Sequence, residues 1–253
     1  MSFKDWLFTN APEPSPAQPW GLGHILTLIG CIVLIICITY CFKNKSKKAK
    51  RVLLWFLTSL ILIFEISRRV VNFAKTTDLS FTNVLSILLP RPWCAISCWA
   101  IIFATIFNKK FLYNFACIIA LLGSTIFFAY PGVGFRAPYF LFDDLYSVAT
   151  HCLLLITSIS LMTLGITNFR FKKFWKVIFC YIIFIGYSLL EIYVLKIEND
   201  PMYFMQNNVI QNLFKLNYNL YLKLYIIFTI IYLLIFPTIQ FIKDKRRKQI
   251  ENN

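Results

Sequence analysis

The sequence predicts an all-α polytopic membrane protein, a bundle of seven transmembrane helices with its N-terminus outside and its C-terminus in the cytoplasm. Hydrophobic residues make up 58% of the 253 residues, and the mean hydropathy is +0.66. A soluble domain of this size cannot bury so much apolar surface, because its exterior has to be largely polar. Charged residues amount to only 15% and are grouped between long apolar runs. That grouping is typical of membrane-spanning helices.

Each long apolar run predicts one span, because about 20 helical residues cross the ~30 Å hydrocarbon core. The third run carries Pro90 and Pro92 near its start, which predicts a kink or a late helix start there. The spans belong to a transmembrane domain at 22–242, preceded by an extracellular segment at 1–21 and followed by a basic cytoplasmic tail at 243–253. The predicted spans are residues 22–42, 52–71, 84–107, 111–130, 146–167, 174–195 and 221–242.

The positions of the basic residues predict the orientation of these spans. Seventeen lysines and arginines follow the odd-numbered spans, whereas six lie in the segments on the other side. Cytoplasmic loops carry the excess of Lys and Arg in membrane proteins. We therefore expect the basic segments, including the C-terminal tail, to lie in the cytoplasm.

The net charge of +15 does not predict nucleic-acid binding, because its basic clusters adjoin apolar spans and alternate along the chain. We expect membrane lipids as partners, predict no nucleic-acid partner, and leave protein partners open. The frequent use of Phe, Ile, Lys, Asn and Tyr is typical of an A+T-rich, small bacterial genome. The sequence therefore predicts a multi-pass protein of a bacterial cell membrane.

Metal and nucleotide chemistry are not predicted. The eight cysteines lack the paired spacing of a zinc site, and the chain has only two histidines. The sequence also contains neither a phosphate-binding glycine loop nor a Gly-x-Ser-x-Gly elbow. No metal and no cofactor is therefore expected.

Ionisable side chains within the predicted spans are the main functional signal. Such groups are costly in a bilayer and usually face a bundle interior or a water-filled cavity. With the predicted orientation, these groups and Cys94 of the third span fall in the outer half of the membrane, which predicts an outward-facing polar site between helices. The ionisable residues considered are His24, Glu65, Arg68, Arg69, His151 and Glu191.

Structural roles are the alternative for most of these groups. Arg68 and Arg69 could snorkel to the outer headgroups. The i, i+3 spacing of Glu65 and Arg68 also suits a structural ion pair on one helix face. His24 and Glu191 lie near helix ends and could be interfacial residues.

His151 and Cys94 are the stronger candidates for chemistry. His151 is flanked by apolar sequence in ATHCLLLI, so a purely interfacial role suits it less well. Cys94 stands out by its place after the two prolines, and Cys152 competes with it because it adjoins His151. Adjacent residues on a helix point in different directions, however, so Cys152 and His151 need not face the same cavity.

Four segments resemble the YwaF-like integral membrane proteins, a family whose animal branch is transmembrane protein 164. The resemblance covers most of the chain, and the order and spacing of its segments are more specific than any one of them. In the third span, Pro92 stands where the family pattern Leu-Pro-x-His-x-Cys has histidine. The segments are WGLGHILTL with His24, FEISRRV with Glu65 and Arg68, LLPRPWCAIS with Cys94, and THCLLL with His151.

The resemblance implies a reaction class. The animal relative is regarded as a membrane acyltransferase that moves a fatty acyl chain onto a lysophospholipid, using a cysteine and a histidine. Carried over, Cys94 is the nucleophile and His151 its base, within hydrogen-bond reach directly or through one water. Arg68 or Arg69 would then hold a lipid phosphate.

Two other functions remain open at the level of sequence. A transporter for a small solute or ion would use Glu65, Arg68, His151 and Glu191 to line a pathway that reaches the midplane. A non-catalytic assembly or sensing protein would instead pair its polar residues structurally. The transporter would keep its activity after Cys94→Ser, whereas the acyltransferase would not.

Overall fold

The computed structural model describes residues 2–9, 21–129, 135, 141–196, 202–206, 211–212 and 214–251. These residues form helices, turns and loops, and no strand occurs in this described part, so the predicted all-α class is confirmed. A π-helical turn at Leu190–Val194 continues α8. The helices are α1 Phe3–Phe8, α2 Leu22–Phe42, α3 Lys47–Lys75, α4 Phe81–Leu88, α5 Trp93–Phe107, α6 Lys110–Ala129, α7 Phe142–Thr163, α8 Phe171–Leu189 and α9 Tyr218–Glu251.

Within the described residues, five helices are long and apolar enough to cross a membrane, namely α2, α6, α7, α8 with its π-helical turn, and α9. The short helices α4 and α5 pass the same test together, but they meet at an angle of 58° across the segment that holds Pro90 and Pro92. The predicted kink in the third span is therefore present. Counted as one broken span, this pair brings the number of candidate spans to six.

The second predicted span forms α3, a helix of 29 residues. It begins at a capping Ser46, whose side chain accepts a hydrogen bond from the amide of Ala49 at 3.2 Å. Basic residues at its start and Glu65, Arg68 and Arg69 in its second half leave it less apolar than the other candidates. The seven-span plan and the orientation of the termini stay predictions.

The chain divides into two compact units at residues 166 and 167, a boundary that falls inside the predicted domain at 22–242. In the first unit, α6 is mostly buried and packs against α5 and α7. Helix α3 packs on α5 and α7, and α2 packs on α7. In the second unit, α8 packs against α9, where Phe169 and Phe236 bring their ring centroids within 5.1 Å.

The ends of the first unit's helices follow from local sequence. Helix α7 ends in a Schellman motif, in which Ile166 donates to the Leu161 carbonyl and Gly165 to the Met162 carbonyl. Gly165 has φ of +71°, a left-handed conformation that glycine adopts without steric cost.

Within the predicted N-terminal segment, residues 3–8 form α1, and residues 10–20 lie outside the described residues. Helix α9 runs on into the predicted tail as far as Glu251.

Candidate functional site

A buried carboxylate joins α3 to α7. Glu65 has no exposed surface, and its Oε2 accepts a hydrogen bond from Nη1 of Arg69 at 2.5 Å. Its Oε1 accepts a second bond from the Tyr146 hydroxyl at 2.6 Å. The ion pair is therefore made at i, i+4 with Arg69, whereas the sequence spacing had suggested a pair with Arg68.

The two neighbouring arginines reach from α3 to the break between α4 and α5. Arg69 donates through Nε to the Leu88 carbonyl at 3.1 Å, and Arg68 donates through Nη2 to the Arg91 carbonyl at 3.2 Å. These bonds satisfy carbonyl groups that the broken span leaves without helical partners. The Arg69 side chain is only 12% exposed, so most of it packs inside the protein.

Aromatic rings support both guanidinium groups. The Arg68 guanidinium lies 5.1 Å from the ring centroid of Tyr146, and the Arg69 guanidinium lies 5.3 Å from that of Trp99. Both distances are within the range of cation–π attraction. Glu65, Arg68, Arg69, Tyr146 and Trp99 are named the Glu65 cluster below.

Cys94 lies in the first turn of α5, next to the Glu65 cluster. Its thiol interacts electrostatically with Arg68 and Glu65 and is close to the backbone amides of Cys94 and Ala95. Cys98, one turn further along α5, is fully buried and interacts with the same two charged groups. The nucleophile predicted from sequence therefore lies beside a cation and at the amino end of a helix.

Trp93 holds this end of α5 in place. Its indole Nε1 donates to the Ile119 carbonyl of α6 at 2.8 Å. The indole also lies against Gly123, where an added Cβ would be 2.9 Å from the Trp93 Cδ1 atom. The close packing of α5 on α6 therefore fixes the backbone that carries Cys94.

His151 lies on α7 with one ring nitrogen engaged. Its Nδ1 is 2.7 Å from the Ser147 carbonyl, and because a carbonyl only accepts, Nδ1 carries the proton in this bond. The imidazole stacks on Phe127 with ring centroids 3.8 Å apart and an interplanar angle of 7°. Nε2 is then the nitrogen whose lone pair can accept a proton. Among the described contacts, no direct hydrogen bond joins His151 to Cys94.

His24 of α2 packs near Phe128, the neighbour in sequence of the Phe127 ring on which His151 stacks. It is 1% exposed, and its ring centroid lies 5.9 Å from that of Phe128 and 5.2 Å from that of Phe135. The rings of Phe127 and Phe128 are 5.3 Å apart. His24 and His151 are thus brought to adjacent rings of α6, and His24 is a buried residue of the bundle.

Cys152 is engaged with another cysteine. Its thiol lies beside the thiol of Cys31 on α2 and interacts with it. Both belong to the apolar cluster around Phe127, Phe128 and Leu57. Cys94 and Cys152, the two candidate nucleophiles from the sequence, therefore have different surroundings. Cys94 is the one that lies beside charged groups.

Glu191 belongs to the second unit. It lies in the π-helical turn after α8, is fully buried, and accepts a hydrogen bond from the Tyr187 hydroxyl at 2.9 Å. A π-helical turn is often found at functional positions. Its predicted place in one polar site with His151 stays a prediction.

Sequence reasoning missed three residues of this region. Tyr146, Trp93 and Trp99 carry the contacts that hold Glu65, Cys94 and Arg69. Tyr146 had a signal, since it is a hydroxyl donor at the first position of the predicted span 146–167. The described residues contain no group of three or more His, Cys, Asp or Glu side chains placed to hold a metal ion.

The sequence model of one protein family, described as the TMEM164 family, matches residues 19–239. The matched range includes the Glu65 cluster, Cys94, both histidines and Glu191. The TMEM164 side of the resemblance is therefore confirmed, while the YwaF-like designation is related to it but is not itself matched. Neither the comparison with curated proteins nor that with solved structures gave a match.

Proposed function

This chain belongs to the TMEM164 family, and we propose that it is a lipid acyltransferase that carries a fatty acyl chain on Cys94. Its apolar helices and its family make it an integral membrane protein, and the substrates of the proposed reaction are lipids of that membrane. The observation that carries the proposal is the position of Cys94 in the first turn of α5, beside the Arg68 guanidinium.

Two features of that position suit nucleophilic chemistry. Burial disfavours a thiolate unless a cation lies nearby; the Arg68 guanidinium acts against that effect, whereas the Glu65 carboxylate adds to it. The first amides of α5 have no partner within the helix, and those of Cys94 and Ala95 lie near the sulfur. Such amides stabilise the oxyanion that forms when a thiolate attacks an ester carbonyl.

The proposed reaction has two balanced halves. The Cys94 thiolate attacks the ester carbonyl of a donor phospholipid, a C–S bond forms, and the ester C–O bond breaks. The lysolipid leaves with the proton that the thiol gave up. An acceptor hydroxyl then attacks the thioester, the C–S bond breaks, and the thiol is restored. No oxidant or nucleotide is consumed.

His151 is the proposed base of both halves. The Ser147 carbonyl holds its Nδ1 proton, which leaves Nε2 to take the proton of the thiol and later that of the acceptor. A bridging water or the lipid hydroxyl itself would complete the path to Cys94. The same path would return the proton to the leaving lysolipid.

There are two other candidates. A small-solute or ion transporter would use Glu65 and Arg68 to line its pathway, and a non-catalytic assembly or sensing protein would keep Glu65 and Arg69 as a structural pair. Both predict that no acyl group ever becomes bound to Cys94. Detection of the covalent intermediate therefore separates the proposal from both alternatives.

The experiment uses the purified protein in nanodiscs with a phospholipid whose acyl chain is labelled, first without an acceptor lipid. We expect an adduct of one acyl chain by intact-protein mass, released by hydroxylamine because it is a thioester. Cys94→Ser should lose the adduct, and Cys98→Ser is the matched control because Cys98 lies buried on the same helix one turn away. His151→Gln should slow adduct formation about 10²–10⁴-fold.

Addition of a lysophospholipid should then discharge the adduct and yield labelled product. A wild-type protein that forms neither adduct nor product contradicts the proposal. Transfer that persists in Cys94→Ser also contradicts it. Thermal unfolding of each variant shows whether a loss of activity reflects a loss of the fold.

A further inference from the structure

Two arginines of the Glu65 cluster carry buried donors that have no acceptor within the part of the chain that the structure describes. Arg69 uses Nε and Nη1 on the Leu88 carbonyl and on Glu65, and its Nη2 has no hydrogen-bond partner. Arg68 uses Nη2 on the Arg91 carbonyl, and its Nε has none. A buried N–H without an acceptor costs free energy, so these atoms favour a bound acceptor.

The Glu65 cluster also holds more positive than negative charge. The groups that act electrostatically on Arg68 are Tyr146, Glu65, Cys94 and Cys98, and Glu65 is the one carboxylate among them. That carboxylate is already bonded to Arg69 and to the Tyr146 hydroxyl. Within this set two guanidinium groups face one carboxylate, so the cluster carries one net positive charge, which favours a bound anion.

We infer that Arg68 and Arg69 bind a phosphate group through Arg68 Nε and Arg69 Nη2. Guanidinium groups bind phosphate oxygens through charge-assisted hydrogen bonds, often two at once. The inference names the substrate class of the proposed Cys94 site and rests on that proposal for its relevance to catalysis. The binding itself requires no turnover.

The position of Cys94 favours a lipid phosphate. A glycerophospholipid carries its phosphate and its ester carbonyls on one three-carbon glycerol unit, so a phosphate held by Arg68 places an ester near the neighbouring thiol. The Arg69 side chain keeps 12% of its surface exposed, which leaves an approach from outside the cluster. Free phosphate offers the same oxygen atoms, and the experiment separates the two sources.

Binding is measured on delipidated protein in detergent, with two probes. One arm titrates phosphatidylglycerol and follows the bound fraction by native mass spectrometry, with diacylglycerol of the same chains as the phosphate-free comparison. The other arm follows radiolabelled orthophosphate by scintillation proximity. We expect phosphatidylglycerol to bind at least about tenfold more tightly than diacylglycerol, as for loss of a charge-assisted hydrogen bond.

The variants are Arg68→Gln and Arg69→Gln, with Arg51→Gln as matched control because Arg51 is an exposed arginine at the other end of α3. Each site variant should weaken binding about tenfold or more, and the control should stay within about twofold of wild type. Wild-type protein treated with phenylglyoxal gives a test without mutation. Lipid should protect Arg68 and Arg69 from modification but leave Arg51 reactive.

Protection and binding by phosphatidylglycerol alone would identify a lipid phosphate, and binding of orthophosphate alone would identify a free anion. Either result supports the inference. It is overturned if neither probe binds better than diacylglycerol, or if Arg68 and Arg69 are modified at the same rate with and without both probes. The same titration on Cys94→Ser keeps the two proposals apart, since that variant should bind normally while forming no adduct.

Discussion

The Tyr146 hydroxyl of α7 donates a hydrogen bond to the Glu65 carboxylate of α3 at 2.6 Å, beside the thiol of Cys94. The same carboxylate holds Arg69, which reaches across to the Leu88 carbonyl in the break of the third span. One buried acid thus connects three parts of the bundle: α3, α7 and the α4–α5 break. The position of Cys94 depends on this connection.

Loss of the Glu65 charge or of its Tyr146 hydrogen bond should destabilise the first unit. Tyr146→Phe leaves one carboxylate oxygen without its donor, and we expect the free energy of unfolding to fall by about 1–3 kcal/mol. Glu65→Gln leaves Arg69 buried without its counter-charge and should cost about 3–5 kcal/mol. Denaturant-induced unfolding in detergent measures both.

Tyr40→Phe is the control for this series, because Tyr40 is 87% exposed. Its effect should stay within about 0.5 kcal/mol. If Glu65→Gln unfolds like wild type, Glu65 does not carry a buried charge pair. The structural account of the cluster would then be wrong.

The packing of Trp93 on Gly123 gives a second prediction. Gly123→Ala places a Cβ 2.9 Å from the Trp93 Cδ1 atom, and the stiff indole has to move away from its bond with Ile119. We expect a loss of about 1–3 kcal/mol in the free energy of unfolding, as for overpacked cores. Reaction of Cys94 with its acyl donor should fall with it, because the first turn of α5 shifts.

Gly30→Ala is the matched glycine control, since an added Cβ at Gly30 on α2 meets nothing within 4 Å. It should be neutral or slightly stabilising, because alanine is the better helix former. Equal behaviour of the two variants in unfolding and in acylation would show that the Trp93 contact does not position Cys94.

The helices were predictable from sequence because their signals are local. Long apolar runs predicted the spans, and Pro90 and Pro92 predicted the break, since proline removes a backbone donor and disfavours helix in the residue before it. Helix α3 shows the limit of that signal. The charged residues of α3 supply the candidate site, but they also interrupt the apolar run by which a membrane span is recognised.

The partners of the site residues were not predictable from the sequence. Position along a span predicts a similar depth for Glu65, Cys94 and His151, and that depth stays a prediction, but a sequence does not say which way each helix is rotated about its axis in the bundle. The choice of Arg69 over Arg68 as the partner of Glu65 depends on the carbonyls of the α4–α5 break. Tyr146, 81 residues away in sequence, meets Glu65 only through the packing of α3 on α7.

The surroundings of Cys152 predict which cysteine reacts. Cys152 lies beside the Cys31 thiol in an apolar cluster, away from the charged groups next to Cys94, so after Cys152→Ser acyl transfer should stay within about twofold of wild type. Cys94→Ser should abolish it. The measurement is the hydroxylamine-sensitive adduct. Its disappearance in a folded Cys152→Ser protein, with retention in Cys94→Ser, would assign the nucleophile to Cys152.

Because His151 stacks on Phe127, we expect Phe127 to influence the acylation of Cys94 by orienting the imidazole. Phe127→Leu keeps an apolar side chain but removes the flat face that holds the imidazole, and a stacked pair of this kind contributes about 0.5–1.5 kcal/mol. We expect adduct formation to slow by about two- to tenfold while phosphatidylglycerol binding is unchanged. Phe103→Leu, at a 46% exposed ring of α5, should have no such effect.

A double variant separates positioning from general loss of packing. If Phe127 acts by orienting His151, Phe127→Leu in combination with His151→Gln should be no slower than His151→Gln alone, because the group being oriented is already gone. Fully multiplicative effects would mean that Phe127 influences acylation by another route. In that case the stacked geometry of His151 would be a packing feature of α6 and α7, and the proton acceptor for Cys94 would have to be sought among the groups nearer its thiol.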